Sequence, residues 1–317
     1  MRAIVYDRYG SPDVLQLREI ETPTPEDNQV LVKVQAASVN PLDWHRMRGK
    51  PTLMRASEGL TKPKDDGLGA DMAGRVEAVG KNVSQFQPGD EVFGMSIRTL
   101  AEYACVSEEG LVLKPANLTM EQAAAVPVGA ITALQGLRDK GEIQPGHKVL
   151  INGAAGGVGT FAVQIAKSFG AEVTGVCSTR NVEMVRSIGA DRVIDYTQDD
   201  FTRGGQPYDL IFDCVGNRSF SACRRVLKPR GILVVVGAFD RPLLRALKAL
   251  LISPFVSQKL VPFLSKRSKE DLVLLKELIE AGKVTPVIDR RYPLGEAPEA
   301  MRYLEARHAQ GKVVISL

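Results

Sequence analysis

The chain has 317 residues, 44% hydrophobic and 25% charged, ordinary values for a soluble globular protein and more chain than one hydrophobic core serves. Forty-one basic against 37 acidic side chains leave a net charge of +4, too slight for a nucleic-acid surface, and no basic block carries interleaved aromatics. Cys105, Cys177, Cys214 and Cys223 form no Cys-x-x-Cys pair and lie in or beside apolar runs, which argues against a disulfide framework and for reduced core residues in a cytoplasmic protein.

No signal or transit peptide is read in the first residues, where Asp7 follows a short apolar run. Apolar runs at 3–6, 14–18, 30–39, 74–79, 91–93, 101–106 and 111–113 are separated by Pro, Gly, Asn and Asp, as in Pro23-Thr24-Pro25 and Gln87-Pro88-Gly89-Asp90. Short strands in succession without intervening helices predict a barrel or sandwich over the first 115 residues. Thr119 with Gln122 three places on is the pattern of a capping box at a helix start. From Lys148 strand and helix alternate: strands at 149–152, 172–177, 192–194, 210–213 and 232–236, with helices running to 169 and 188 and over 220–227. Such alternation predicts a parallel sheet with helices on both faces. The most apolar later stretch, 243–264, is broken by Arg245, Lys248, Pro254 and Lys259, so no membrane span is expected. An amphipathic helix over 268–281 ends at Gly282, and a strand over 312–317 closes the chain.

The sharpest chemical signal is the run from Val149 to Gly159, Val-Leu-Ile-Asn-Gly-Ala-Ala-Gly-Gly-Val-Gly. It follows a strand and opens a helix whose Val158, Ala162, Ile165 and Phe169 form an apolar stripe. Gly156 lets backbone approach a pyrophosphate, Gly159 lets helix pack on sheet, and the helix N-terminus offers N–H groups to phosphate. The first glycine of the usual G-x-G-x-x-G is here Ala154, with Gly153 just before it. At the end of the next strand an NAD site carries an acid for the ribose 2′-hydroxyl. This chain has Cys177-Ser178-Thr179-Arg180-Asn181 instead, where Ser178 and Arg180 suit a 2′-phosphate and favour NADPH over NADH.

These features together with Ala37-Ser-Val-Asn-Pro-Leu-Asp43, Gly69-Ala-Asp-Met-Ala-Gly74, Gln87-Pro-Gly-Asp-Glu-Val92, the run from Ala123 to Ala133 and Gly189-Ala-Asp-Arg-Val-Ile-Asp-Tyr196 resemble the zinc-free quinone oxidoreductase branch of the medium-chain dehydrogenase/reductase superfamily. The resemblance covers nearly the whole length. It implies an α/β protein: a GroES-like β-barrel domain over 1–122, completed by about 268–317, and a doubly wound Rossmann domain over 123–267. Zinc alcohol dehydrogenases of this superfamily hold their metal with a Cys, a Gly-His-Glu and a second Cys or Asp. Here Asn40 stands at the first Cys position and Gly69-Ala70-Asp71 replaces the Gly-His-Glu, while only Cys105 lies in the first half, so neither a catalytic nor a structural zinc is expected.

The resemblance further implies Asn40 and Thr132 near the nicotinamide, Gly156, Gly157 and Val158 on the pyrophosphate, and Ser178, Arg180 and Tyr196 around the 2′-phosphate. Val215 would touch the adenosine; Gly237, Ala238 and Phe239 would border the nicotinamide; and the tail His308-Ala-Gln-Gly-Lys312 would fold back over the cofactor. His45, where relatives carry a Tyr one place after the residue matching Trp44, is a candidate proton donor beside Asn40. The expected activity is hydride transfer from NADPH to a small quinone or α,β-unsaturated carbonyl by a homodimer. The competing readings are an NADPH-binding redox sensor or crystallin-like protein with little turnover, and an NADP alcohol dehydrogenase.

Overall fold

The computed structural model describes residues 1–237 and 257–317. The expectations for Ala238, Phe239 and much of the apolar stretch 243–264 lie outside the described residues. Two compact units emerge: one of 1–129, 267–281 and 286–317, the other of 130–266 and 282–285. Their division falls inside one continuous helix, Pro127–Gln135.

The first unit is built on strands β1 (Arg2–Val5), β2 (Gln16–Glu19), β3 (Gln29–Val39), β4 (Asp71–Val79), β5 (Glu91–Met95), β6 (Tyr103–Ser107) and β7 (Leu111–Leu113), and its sheet is completed from the far end of the chain. In the second unit lie β8 (Lys148–Asn152), β9 (Glu172–Cys177), β10 (Arg192–Asp195), β11 (Tyr208–Asp213), β12 (Leu227–Val236) and β13 (Lys259–Phe263). Then β14 (Ile288–Pro293) and β15 (Lys312–Ser316) return to the first unit, giving a sheet ordered β14-β15-β3-β4-β5-β7 with β6 also on β3. The long β3 pairs β6 through Gln29 to Lys33 and β15 through Ala36 to Val39, so one strand organises two partners along a single edge. Its alternate residues Val30, Val32 and Val34 are buried with Met72, Val76, Val92 and Leu111 in one core cluster, while Ala37 and Val39 join Ile4, Met47, Leu68, Met301 and Ile315 in another.

Helices interrupt the strand-rich half, contrary to the reading of that half as strands alone. Helix α1 (Pro41–Arg48) follows β3 directly, and a short α2 (Arg55–Glu58) comes soon after. The cause is local: Asn40 is extended at the N-cap, Pro41 presets the first helical φ, and the Asp43 carboxylate accepts the Asn40 N–H at 2.7 Å. Strands cannot accommodate that proline, and Gly49 ends the helix in the left-handed region (φ 57°).

Capping at Thr119 appears as expected at α3 (Met120–Ala124): Thr119 Oγ1 accepts from Gln122 N, and Gln122 Oε1 accepts from Thr119 N. Helices α4 (Pro127–Gln135), α5 (Gly159–Ser168), α6 (Val182–Ser187) and α7 (Phe220–Arg224) follow, with α8 (Lys269–Glu280) capped by Ser268 and α9 (Ala297–Glu305) preceding β15. The second unit's described strands form a parallel sheet in the order β10-β9-β8-β11-β12-β13. Strand direction of winding reverses between β8 and β11, the point where doubly wound sheets bind ligands at their carboxyl ends. Among the described residues no helix is long and apolar enough to cross a membrane.

Candidate functional site

In the second unit the glycine run forms the turn between β8 and α5. Gly153 has φ +87°, so it rather than Ala154 makes the sharp exit from the strand, and the N–H groups of both are held by Val176 O at 3.1 and 3.0 Å. Gly156 N–H returns to Gly153 O, and Val158 stands at the N-cap of α5. A Cβ on Gly159 would lie 2.0 Å from Gly153 O, so that glycine is required for helix and turn to touch at all. A Cβ on Gly156 would meet only Gly153 O at 3.4 Å, leaving open space beside the N-terminal N–H groups of α5 that no intrahelical carbonyl can satisfy. This cradle fits a pyrophosphate.

The carboxyl ends of β9 and β10 lie side by side, Cys177 opposite Asp195, which brings Ser178, Arg180 and Tyr196 to one edge. Tyr196 is 56% exposed, with its N–H on Cys177 O. The sequence reading found no acid at this strand end; Asp195 supplies one from the neighbouring strand. Its carboxylate accepts from Thr179 Oγ1 at 2.6 Å, and also from Thr197 and Gln198, bonds that hold it below the ordinary carboxylate range, the one from Thr179 foremost. At the ends of β8 and β11 the buried Asp213 accepts from Asn152 Nδ2 at 2.8 Å and from the N–H groups of Val215 and Gly216, which shapes the turn that presents Val215 next to Gly153. Thr132 is buried on α4 and pairs its hydroxyl with Ser265 Oγ at 2.8 Å, while Gly237 N–H reaches Phe263 O at 3.3 Å.

The first unit gathers a different set. Asp71, at the start of β4, is fully buried, and its carboxylate accepts from Ser38 Oγ (2.7 Å), Asn40 Nδ2 (2.9 Å), Val128 N (2.8 Å) and Lys312 Nζ (3.0 Å). Lys312 Nζ also donates to Asn40 Oδ1 at 2.6 Å. Lys312, expected on the cofactor, has an ammonium that is 3% exposed and bonded to Asn40 and Asp71, where it partners a deeply buried carboxylate that would be costly alone. Asn40 in turn has both ends of its amide engaged inside the protein. Asp43, next along α1, is wholly buried; burial, reinforced by the Asp71 charge and opposed by the Asn40 N–H bond, pushes its carboxyl up to about 7, and its Oδ1 has no partner.

His45 is buried, stacks on Trp44 with ring centroids 3.7 Å apart, and donates Nδ1–H to Lys50 O at 2.8 Å. In the neutral ring Nε2 then carries no proton. His308 is exposed between α9 and β15. Asp43, Asp195 and Asp213 were not singled out from the sequence, and Asp71 was named only as the acid that ends Gly69-Ala70-Asp71. A capping pattern, Asn40-x-x-Asp43, marks the first, while the partners of the others show themselves only once distant strands are paired. Burial pushes the Cys177 thiol up to about 11 and the Cys214 thiol further, so neither is a ready nucleophile. Among the described residues no three His, Cys, Asp or Glu side chains converge as a metal would need.

Residues 26–116 match the alcohol dehydrogenase GroES-like domain family, and residues 188–315 match the family described as zinc-binding dehydrogenase. The NADPH-dependent alkenal/one oxidoreductase of Arabidopsis thaliana chloroplasts is 36% identical over 99% of this chain and 79% of its own length. A quinone oxidoreductase from Coxiella burnetii superimposes with a TM-score of 0.88 at 31% identity, covering 100% of this chain and 99% of that one. Escherichia coli quinone oxidoreductase, solved with NADPH, gives 0.86 at 26% identity with full coverage of both chains. Matched along its whole length at these identities, with a doubly wound sheet and a glycine turn at its switch point, the chain belongs to the zinc-free quinone oxidoreductase branch of the medium-chain dehydrogenase/reductase superfamily.

Proposed function

We propose that the protein is an oxidoreductase that transfers a hydride from NADPH to a small quinone or α,β-unsaturated carbonyl without a metal. The observation that carries this reading is the turn from Gly153 to Gly159, open at Gly156 and closed at Gly159, at the switch point of a parallel sheet. NADPH, when bound, supplies the hydride; quinones and enones carry their own electron sink, so the protein is asked to orient and exclude water more than to polarise. The turn and the first N–H groups of α5 hold the pyrophosphate. Ser178 and Arg180 bind the 2′-phosphate beside Tyr196, and Val215 supports the adenosine. In the second unit Thr132 and Gly237 would border the nicotinamide; in the first, the family resemblance gives that role to Asn40, which Asp71 and Lys312 hold in place. His45, held through Nδ1 by Lys50 O, is the candidate proton donor to the reduced acceptor. The active species is a cytoplasmic homodimer, a reading in keeping with four free cysteines, and size-exclusion chromatography with light scattering tests the dimer.

The deciding experiment is an acceptor screen under NADPH with a chelator present, using 1,2-naphthoquinone and 2-hexenal. Nicotinamide absorbance is expected to fall at a rate the chelator does not change. Cofactor binding without turnover across the panel would replace this reading by that of a sensor, and chelator-sensitive ketone reduction by that of an alcohol dehydrogenase. In the same assay Arg180→Ala should raise the KM for NADPH about ten- to a hundredfold, the worth of one charge-assisted contact, and leave that for NADH nearly unchanged. Equal effects on both would remove Arg180 from the 2′-phosphate.

A further inference from the structure

Asn181 stands at the N-cap of α6, where an asparagine ordinarily turns its side-chain oxygen onto the first N–H groups of the helix. Here it does not. A single tight helical turn, Thr179–Asn181, runs straight into α6, so Asn181 takes helical angles (φ −106°, ψ −3°) in place of the extended ones that capping needs. Its amide reaches back instead, and Nδ2 donates to Ser178 Oγ at 3.2 Å. The other end of the amide, Oδ1, has no hydrogen-bond partner, although the residue is only 7% exposed. A buried acceptor left bare is destabilising, so the fold alone gives no reason for an asparagine here. Ser178, half-buried at the head of the same turn, caps nothing either. Its oxygen accepts from Asn181, and among the described residues its O–H has no acceptor.

We infer that Asn181 is a positioning residue for cofactor choice: by donating to the Ser178 oxygen it reserves the one hydrogen of that hydroxyl for the 2′-phosphate of NADPH. A hydroxyl has one hydrogen and two lone pairs, an amide Nδ2 only donates, and an unprotonated phosphate oxygen only accepts. With a lone pair of Oγ taken by Asn181, the O–H is oriented and its acceptor must come from outside the turn. A ribose 2′-hydroxyl both donates and accepts, so NADH bonds to Ser178 whichever way that hydroxyl faces. The phosphate bonds only where Ser178 supplies the hydrogen. Without Asn181 the hydroxyl rotates among its staggered positions, and binding has to order it. The backbone bond of the same turn, from Asn181 N–H to Ser178 O at 2.9 Å, does not involve the side chain and survives its replacement.

The inference rests on the placement of the 2′-phosphate at Ser178 proposed above, and calorimetric titration of the full-length protein tests both. Asn181→Leu has nearly the shape of the asparagine and no bare acceptor, so it should melt at or above the wild-type temperature. It should bind NADPH about threefold to tenfold more weakly, the worth of one neutral hydrogen bond, and NADH as the wild type does. Adenosine 2′,5′-bisphosphate and 5′-AMP, which lack the nicotinamide, should show the same split. Ser178→Ala should bind NADPH about tenfold or more weakly, and in its background Asn181→Leu should change nothing further, because Asn181 acts only through that hydroxyl. Full NADPH affinity in Asn181→Leu, an equal loss for NADH, or a loss undiminished in the Ser178→Ala background would overturn the inference and leave Ser178 on the phosphate. Wild-type NADPH affinity in Ser178→Ala would overturn the inference and the placement together. Asn181→Ala makes the same comparison with less bulk, and failure of both Asn181 variants to fold would reduce the bond to a structural tie, ending the inference.

Discussion

Asp43 and Asp71 are both fully buried carboxyl groups in one small region, and the structure treats them oppositely. Asp71 receives four donors, one of them charged; Asp43 receives one backbone N–H and leaves Oδ1 bare. Burial raises the Asp43 carboxyl from 3.8 to about 7, the negative Asp71 adds to the rise, and the Asn40 N–H, Arg46 and Lys312 restrain it. The sign of the consequence follows. Below pH 3.8 the group is protonated folded or unfolded; between 3.8 and about 7 the folded protein keeps a proton that the unfolded chain releases. Asp43 therefore lowers stability as pH climbs through that window, and its full penalty persists above it. Asp43→Asn never ionises, so the melting temperature of the variant relative to the wild type should climb from pH 4 to 7 and level off beyond. Paired thermal melts across that range check this, and a difference independent of pH would show that Asp43 is ionised throughout. The sequence reading named Asp71 only as the acid that ends Gly69-Ala70-Asp71 and passed over Asp43, although Asn40-x-x-Asp43 is a capping pattern. The partners of Asp71 come from positions 38, 40, 128 and 312, and no spacing rule links them.

Elements were legible where a local rule and the tertiary fold agree. Thr119 with Gln122, Ser268 before α8 and the strand–turn–helix around Gly156 all appear at their expected places. Helix α1 was hidden because only one turn of capping chemistry announces it, and its side chains show little amphipathic pattern against the strand-like runs on either side. The glycine turn shows what sequence leaves open, for Gly156 and Gly159 look alike in the motif and differ in space. Gly159→Ala would drive a methyl group to 2.0 Å from a backbone oxygen, which nothing flexible can relieve, so it should unfold or destabilise the second unit by about 3 kcal/mol or more. Gly156→Ala meets only an ordinary contact at 3.4 Å. It should keep the wild-type melting temperature yet weaken NADPH binding by about tenfold or more, because its methyl group occupies the side from which a pyrophosphate approaches. Thermal melts beside cofactor titrations separate the two. Full affinity in a folded Gly156→Ala would mean that the dinucleotide does not rest on this turn.

At the scale of the whole molecule the pattern of alternating strands and helices reveals the second unit, because each β–α–β step there is local and each strand pairs with one close in sequence. The first unit is legible as strand-rich but not in its closure: β15 lies between β14 and β3, joining residues almost 280 apart. That separation has a mechanical consequence. Ending the chain at Gly311 removes Val313, Val314 and Ile315, each about 99% buried or more, and takes the ammonium away from Asp71. Each lost side chain forfeits about 1.5–3 kcal/mol. An unpartnered buried carboxylate forfeits about 3–5 more. Together these approach the whole stability of a typical domain, about 5–15 kcal/mol. The truncated chain should therefore lose hydrogen-exchange protection across β3 and β4, while β8 and β9, whose strand partners lie within the second unit, keep theirs. If β3 stayed protected, β15 would be an ornament of a sheet that stands without it; if β8 and β9 opened as well, the two units would be one cooperative body, and their separate compactness would carry no thermodynamic meaning.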